Sequence, residues 1–256
     1  MQQQAARIRN YFDAAADQYA SARELEYSFT QQKRIALDML PPQMRRVLDA
    51  GCGPAVMAAE LLDRADEFFG VDISAEMIAK GRARIARHPR HAACHLSAGD
   101  CEALDFPDGF FDGIVSLGML EYLETYERAL AEMWRVLRPG GVVVVAVPNR
   151  RSVYHLSRRS VGAVRRGVKW VLGRAPRATE HFVYNPCVPT ELDGALERAG
   201  FRKVAGRGCN FIFYPLHDLH RGASIALNRR LWENVRPPHD TWLGSQYLVK
   251  AEKPGA

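Results

Sequence analysis

Residues 46–55 read RVLDAGCGPA, and this stretch decides the fold class. A short apolar run ends at Asp49, and Gly51 and Gly53 precede the alanine-rich stretch AVMAAELLDR (55–64). A strand, a glycine turn and a helix in this order form a βα unit, and the glycines let the backbone pass close to a ligand. The dinucleotide fingerprint has a third glycine where Val56 stands, which disfavours a pyrophosphate-binding turn.

The same alternation continues along the chain. Further strands are predicted at 67–73, 92–97, 111–117, 142–148, 201–205 and 245–252. Further helices are predicted at 75–88, 124–138, 189–199 and 223–232. Strands that alternate with helices of about 10–15 residues predict a doubly wound α/β fold with a mostly parallel sheet.

Composition limits the class of protein. The 256 residues suffice for one large α/β domain, or for a core with a small cap, and 47% hydrophobic with 25% charged residues is typical of globular chains. Neither a secretory signal nor an apolar run of about 20 residues is found, so we expect a cytoplasmic protein. The five cysteines are odd in number and lack C-x-x-C spacing, which predicts reduced thiols and no metal site.

Two acids follow predicted strands. Asp72 ends the second strand, 21 residues after Gly51, where a carboxylate can accept hydrogen bonds from ribose hydroxyls. NAD and S-adenosylmethionine (SAM) both carry a ribose, so Asp72 does not distinguish them, and a capping or solvent-exposed acid is the alternative. Gly99, Asp100 and Cys101 follow the third strand.

Five segments together resemble the class I SAM-dependent methyltransferases, in particular the small-molecule subgroup that includes the ubiquinone and menaquinone methyltransferases. They occur in the family's order and at its spacing. They are YFDAAADQYA (11–20), VLDAGCGPA (47–55), GVDIS (70–74), AGDCEALDFPDGFFDGIVS (98–116) and LRPGGVVVVAVPN (137–149). The resemblance implies a Rossmann-like, doubly wound, mostly parallel seven-stranded sheet with helical cap insertions, and SAM as cofactor.

The resemblance also implies roles for individual residues. Asp49, Gly51 and Gly53 would shape the pocket for the methionine part of SAM. Asp72 would bind the ribose hydroxyls, and Ile73 would pack on the adenine. Asp100 would bind the adenine amino group, helped by the backbone of Cys101. Ser116 and Leu117 would face the sulfonium end. Tyr19 would close over cofactor or substrate, and a half-buried core aromatic is its alternative.

A general base is optional, because the sulfonium is already a strong electrophile and the enzyme must mainly align the reactants and exclude water. The candidates are four histidines after the core, and His181 is favoured among them. They are His155, His181, His217 and His220. Quinone O-methyltransferases carry a Glu-His pair after the fourth strand, but here Glu121 is followed by Tyr122. This departure argues against metal assistance and against a quinol acceptor.

A basic insert interrupts the alternation. Between Pro148 and Thr179 there are eight arginines and one lysine, without an acid. Residues 150–174 predict an amphipathic helix with its arginines on one face, a composition typical of membrane-surface binders. Three interpretations stay open: a lid over a small-molecule pocket, a lid that also contacts anionic lipid, and a nucleic-acid surface. The scarcity of interleaved aromatics disfavours nucleic acid.

These observations predict a SAM-dependent methyltransferase that acts on a small aromatic or lipid-like acceptor, on oxygen before nitrogen or carbon. The rivals are an RNA or protein methyltransferase and a non-catalytic SAM-binding protein. Four segments are predicted: an N-terminal helical cap (1–45), the SAM-binding core (46–149), the basic helical insert (150–187) and a C-terminal completion of the core with a further cap insertion (188–256). Peripheral contact with an anionic membrane is one of the open interpretations, and it would involve 150–174.

Overall fold

The structure is a computed structural model that describes residues 2–25, 27–160, 185–212, 216–234, 241 and 243–255. Within these residues seven strands form one sheet. They are β1 (Met44–Ala50), β2 (Ala65–Asp72), β3 (Cys94–Ala98), β4 (Phe111–Leu117), β5 (Leu137–Pro148), β6 (Arg202–Cys209) and β7 (Gln246–Glu252). Their order is β3-β2-β1-β4-β5-β7-β6.

Strands β1 to β5 are parallel, and β7 runs antiparallel between β5 and β6. The predicted doubly wound, mostly parallel, Rossmann-like sheet is therefore confirmed. The strand order reverses between β1 and β4, and ligands of such sheets bind at the carboxyl ends of the strands beside this reversal.

Helices cover both faces of the sheet. The described helical segments are α1 (Gln2–Leu25), α2 (Tyr27–Met39), α3 (Ala58–Leu62), α4 (Ala75–Ile85), α5 (Glu127–Val136), α6 (153–160), α7 (Pro189–Arg198), α8 (Leu216–Leu219) and α9 (Arg221–Asn234). Helices α2, α3 and α4 bury their apolar residues against one face, and α5 and α7 bury theirs against the other. Helix α1 packs on α4.

The core follows the alternation of side chains along the strands. In β5, Val144 packs in the cluster under α2 to α4, whereas Val143 and Val145 pack in the cluster under α5 and α7. All three are fully buried. Each such burial contributes roughly 1.5–3 kcal/mol. A parallel strand that is buried on both faces needs apolar residues at successive positions, as VVVVAVP provides.

Several boundaries differ from the sequence prediction. Helix α3 is shorter than the predicted 55–64, because Ala55 has a left-handed φ of 52° and still belongs to the turn. Helix α5 begins at Glu127 rather than at 124 and ends at Val136 rather than at 138, because Leu137 already pairs with Phe111 in the sheet. Strand β6 extends beyond 205 to Cys209 through its pairing with β7.

The basic insert begins with α6, which starts at residue 153, and 161–174 lie outside the described residues. Among the helices that the structure describes, none has both the length and the apolar character needed to cross a bilayer. In the same part of the chain, no three His, Cys, Asp or Glu side chains are grouped so that they could hold a metal ion. The division into four segments stays a prediction.

Candidate functional site

Three acids lie at the carboxyl edge of the first half of the sheet. Asp49 lies near the end of β1, Asp72 ends β2, and Asp100 follows β3 by two residues. Because β1, β2 and β3 are neighbouring parallel strands, their carboxyl ends meet at one edge. The acids therefore converge beside the point where the strand order reverses.

The glycine turn after β1 is tied to β2. Gly51 and Gly53 have left-handed φ angles of 79° and 51°, which other residues adopt only with strain. The backbone N–H groups of Gly51 and Cys52 donate to the carbonyl of Val71 (2.8 and 3.0 Å). A Cβ at position 51 would lie 2.5 Å from the Cβ of Met119, so only glycine fits between the two sides of the cleft.

Asp72 is held by two backbone donors. The N–H of Gly53 donates to Oδ2 (2.8 Å) and the N–H of Ser74 donates to Oδ1 (2.9 Å). Burial raises the pKa of the Asp72 carboxyl, the two N–H groups lower it in part, and Asp13 raises it further. The Ser74 hydroxyl accepts from the N–H of Met77, which caps α4 as predicted, and it donates to Asp13 of α1 (2.5 Å).

Asp49 has a different environment. It is 4% exposed, and burial together with the charge of Asp72 raises its pKa to about 7. Its carboxyl therefore holds a proton more tightly than an ordinary aspartate does. Asp49 lines a small pocket of about 330 Å³ together with Tyr19, Phe29 and Leu117.

Asp100 is half-buried, and its Oδ1 accepts the N–H of Glu102 (2.9 Å). Cys101 beside it is buried. Burial, and then the charge of Asp72, raise the pKa of the Cys101 thiol, so it stays protonated at neutral pH.

A cleft of about 600 Å³ joins these groups. Its lining contains two acids, four glycines and an otherwise mostly apolar surface. The lining residues are Ile8, Phe12, Tyr19, Gly51, Gly53, Asp72, Ile73, Met77, Gly99, Asp100, Cys101, Gly118, Met119, Tyr122 and Leu123.

Helix α1 forms the roof of the cleft. Phe12 packs edge-on against Tyr19 and Tyr122, with ring centroids 5.7 and 5.1 Å apart. Arg9 Nε donates to the carbonyl of Ile73 (3.3 Å), which ties the helix to the edge below. The roof leaves a cleft of about 600 Å³ underneath.

Six of the nine predicted cofactor residues line the cleft: Gly51, Gly53, Asp72, Ile73, Asp100 and Cys101. Tyr19 of α1, which was predicted to close over cofactor or substrate, lines it as well. Asp49 and Leu117 line the adjoining pocket. Ser116 is fully buried on the opposite strand face from Leu117, and its Oγ has no hydrogen-bond partner among the residues that the structure describes. Its contact with a cofactor stays a prediction.

The structure describes the side chains of two of the four histidine candidates, His155 and His220. His181 lies outside the described residues, as does the side chain of His217. His220 is exposed after α8. His155 on α6 is half-buried, and burial and then Arg158 lower the pKa of its imidazole, so it is neutral at pH 7. The choice of a general base stays a prediction.

The sequence reasoning missed the wall of the cleft that follows β4. Met119, Tyr122 and Leu123 lie there, and Ile8 and Met77 complete the apolar lining. The stretch MLEYLE directly after a predicted strand was the available signal, because residues after parallel strands gather at the ligand edge.

Residues 48–145 match the family model described as a methyltransferase domain. The match begins in β1 and ends in β5, so it includes all three acids and the glycine turn. The chain therefore carries a methyltransferase domain, and the SAM-dependent class predicted from the sequence motifs is confirmed for this domain.

Two curated relatives match about half of the chain. Malonyl-(acyl-carrier protein) O-methyltransferase of Enterobacter lignolyticus (strain SCF1) is 34% identical over 134 residues, 52% of this chain and 49% of the relative. Demethylmenaquinone methyltransferase of Symbiobacterium thermophilum is 31% identical over 142 residues, 52% of this chain and 56% of the relative. The chain thus spans about half the length of the curated relatives it matches.

A solved structure extends the likeness to most of the chain. Geranyl diphosphate C-methyltransferase from Streptomyces coelicolor A3(2), in complex with Mg²⁺, geranyl diphosphate and S-adenosyl-L-homocysteine, superposes with a TM-score of 0.60 over 88% of this chain and 77% of that chain. The sequence identity is 17%, so the likeness establishes the fold alone.

Proposed function

We propose that this chain is a SAM-dependent methyltransferase that transfers a methyl group to the oxygen of a small aromatic or lipid-like acceptor. One observation carries the proposal. Within a methyltransferase domain, Asp72 and Asp100 follow neighbouring parallel strands and line one cleft under an aromatic roof. The cleft volume lies within the roughly 300–1,000 Å³ of small-molecule and cofactor sites.

The residues of the cleft fit the cofactor. Each oxygen of Asp72 accepts one backbone N–H and keeps capacity for a further hydrogen bond, which suits a ribose diol. Ile73 offers an apolar surface for adenine, and Asp100 an acceptor for its amino group. Gly51 and Gly53 add no side chains that would block a ligand.

The charge of the cleft favours a cation. Its described lining contains two carboxyl groups and neither lysine nor arginine, and Asp49 adds a third acid in the adjoining pocket. The N–H of Gly53 is used by Asp72, so it is not available for a phosphate. A sulfonium and an ammonium group match this environment better than a pyrophosphate does.

The chain's contribution to the reaction is orientation and exclusion of water. When bound, SAM supplies a methyl group on a sulfonium that is already strongly electrophilic. Phe12, Tyr19 and Tyr122 would keep water from the reacting atoms, and Tyr19 would also close over the ligand. A hydroxyl acceptor loses its proton, and His181 is the proposed base.

The acceptor class rests on two supports. The cleft surface beside Met119, Tyr122 and Leu123 is apolar. The relatives are named for an O-methylation and for a menaquinone precursor. An RNA or protein acceptor, or SAM binding without catalysis, are the alternatives.

The experiment is transfer of a radiolabelled methyl group from SAM into a cell extract, followed by separation into organic-soluble, nucleic-acid and protein fractions. We expect label in the organic fraction, sensitive to Asp72→Ala. Label in RNA or protein would contradict the acceptor class. Tight SAM binding without any labelled product would favour a non-catalytic protein.

We further propose that the basic insert contacts anionic lipid. Leu156 of α6 is 53% exposed. Arg158 and Arg159 on the same helix and Arg151 just before it are exposed as well. Each basic residue near an anionic surface contributes about 1 kcal/mol. Because α6 follows β5, it starts at the same sheet edge as the cleft.

Co-sedimentation with phosphatidylserine-containing vesicles at low salt tests this contact. Arg158→Glu with Arg159→Glu should weaken binding by about 2 kcal/mol or more, because two favourable charges are lost and reversed. Arg45→Glu with Arg87→Glu makes the same change in charge at the opposite edge of the sheet and should preserve most binding. Absence of wild-type binding, or equal loss in both double variants, would contradict the membrane contact.

A further inference from the structure

The loop after β4 forms one wall of the cleft through Met119, Tyr122 and Leu123. It contains one turn of 3₁₀ helix (Leu120–Tyr122). In this turn the N–H of Tyr122 donates to the carbonyl of Met119 (3.0 Å), and the N–H of Leu123 donates to the carbonyl of Leu120 (3.1 Å). These two bonds use the carbonyls of residues 119 and 120. The next three carbonyls, of residues 121–123, are bound by other parts of the chain.

Residues more than 60 positions away donate to all three. The backbone N–H of Asn185 donates to the carbonyl of Glu121 (2.8 Å), and the Asn185 side-chain Nδ2 donates to that of Leu123 (2.9 Å). Gln4 Nε2 of α1 donates to the carbonyl of Tyr122 (3.4 Å). Asn185 thus holds the loop at two points, and the roof helix holds it at the point between them.

Asn185 is itself anchored to the fold. The hydroxyl of Tyr126, directly before α5, donates to the Asn185 carbonyl (3.1 Å). Two residues later, the N–H of Cys187 donates to the carbonyl of Pro148 (3.0 Å), and Cys187 accepts from the N–H of Arg150 (2.9 Å). The segment that carries Asn185 is therefore fixed to the end of β5 and cannot drift with the loop.

We propose that Asn185 is a positioning residue for the cofactor cleft: its amide donor fixes the loop after β4 so that Tyr122 and Leu123 close the cleft wall. The proposal rests on the proposed function, because it assigns the cleft to SAM. Asn185 is not among the described residues that line the cleft, so it acts through the loop. A donor is required at this position because Leu123 offers a carbonyl, and the side-chain amide of Asn185 supplies it.

Asn185→Asp tests the donor with little change in volume, since it places a carboxylate oxygen against the Leu123 carbonyl. Loss of one such hydrogen bond corresponds to about a three- to tenfold change in an equilibrium constant. We expect calorimetry to give a SAM dissociation constant raised by about this factor. The KM for SAM should rise by a similar factor, with kcat at saturating SAM little changed.

Two further readouts separate positioning from general destabilisation. Amide hydrogen exchange should accelerate in the peptide that spans 118–124 and stay at the wild-type level in β1 and β2. The ratio of the wild-type SAM affinity to that of Asn185→Asp should also shrink as the pH falls from 7 to 4, near the ordinary pKa of an aspartate, because a protonated carboxyl regains a donor.

Tyr247→Phe is the matched control. The Tyr247 hydroxyl donates to Asp193 (2.9 Å), so this variant also removes a hydrogen bond of a buried residue, but between β7 and α7. We expect a similar loss of thermal stability with unchanged SAM affinity and unchanged exchange in 118–124.

The outcomes distinguish the two proposals. If the wild type does not bind SAM, the proposed function is wrong, and the exchange of 118–124 alone decides the role of Asn185. If exchange and affinity are both unchanged in Asn185→Asp, the positioning role is overturned. It is equally overturned if Tyr247→Phe weakens SAM binding as much as Asn185→Asp does.

Discussion

The two halves of the sheet's carboxyl edge use different residues for different tasks. Near or just after the ends of β1, β2 and β3 lie acids, whereas β5 and β6 are each followed directly by an asparagine. Asn149 Nδ2 donates to the carbonyls of Thr241 (2.7 Å) and Gly244 (3.1 Å). Asn210 Nδ2 donates to the carbonyl of Ser28 (3.1 Å). Both asparagines are fully buried.

The two kinds of side chain differ in whether they donate or accept hydrogen bonds. An amide donates to backbone carbonyls and can therefore close loops that a carboxylate cannot. A carboxylate accepts from turn N–H groups, as Asp72 does, and keeps capacity for the hydroxyls and cations of a ligand. The half of the edge with Asn149 and Asn210, the amide half, thus stabilises the fold. The half with Asp49, Asp72 and Asp100, the acid half, is the one that we propose to bind SAM.

Asp49→Asn should give the largest effect and should stabilise the protein. The pKa of Asp49 is raised from 3.8 to about 7 in the folded state. The charged carboxyl therefore destabilises the folded state once the pH exceeds 3.8, its ordinary pKa in the unfolded state, and the full cost is present above pH 7. We expect a gain in unfolding free energy of about 4 kcal/mol at pH 8 and almost none at pH 4.

Urea denaturation at the two pH values measures the gain, and calorimetry should show weaker SAM binding by the same variant. Such a pair of changes is expected where an acid is kept for function at a cost in stability. Equal stability of wild type and variant at pH 8 would refute the contrast.

Asn149→Asp should have the opposite profile. The change removes the donor to two buried carbonyls and should cost about 2 kcal/mol of unfolding free energy, because unsatisfied buried groups are expensive. Thermal and urea unfolding measure the loss. At a temperature well below the unfolding transition, the SAM affinity should stay within about twofold of the wild-type value. A large loss of affinity would instead give Asn149 a role in SAM binding.

Tyr19 tests the roof with a smaller effect. Tyr19→Leu removes the ring that packs against Phe12 and should weaken SAM binding by about 1 kcal/mol, whereas Tyr19→Phe keeps the ring and should bind almost as wild type does. Calorimetric titration of SAM into both variants decides whether Tyr19 closes over the ligand or is only a half-buried core aromatic. Equal weakening by the two would assign the effect to the hydroxyl rather than to closure by the ring.

How far the sequence could predict this molecule depends on whether a feature is local. Asp72 and Gly53 are brought together by a βα unit whose order is visible in the sequence, and the cap of Ser74 on α4 was likewise predictable. The short α3 was not, because the left-handed conformation of Ala55 is set by the turn and not by residue type. Ser116 and Leu117 end the same strand, but burial leaves only Leu117 at a pocket.

Features that join distant segments could not be predicted from one sequence. Asn185 and Leu123 are 62 residues apart, and nothing local to either marks the partner. The same is true of Asn149 and Thr241, 92 residues apart, and of Asp13 and Ser74, 61 residues apart. Such contacts arise only once the sheet has brought its carboxyl edge together.

Calorimetric titration of SAM into wild type and Asp72→Ala tests the assignment of Asp72 to the ribose of SAM. We expect measurable wild-type binding that Asp72→Ala weakens by about 1–3 kcal/mol, the range for lost hydrogen bonds to a charged group. Burial raises the pKa of this carboxyl, but its removal also takes the acceptor from the N–H groups of Gly53 and Ser74, so thermal unfolding is measured alongside to show that the variant is folded. Unchanged affinity in a folded variant would contradict the assignment of Asp72 to the ribose and, with it, the binding role of the acid half.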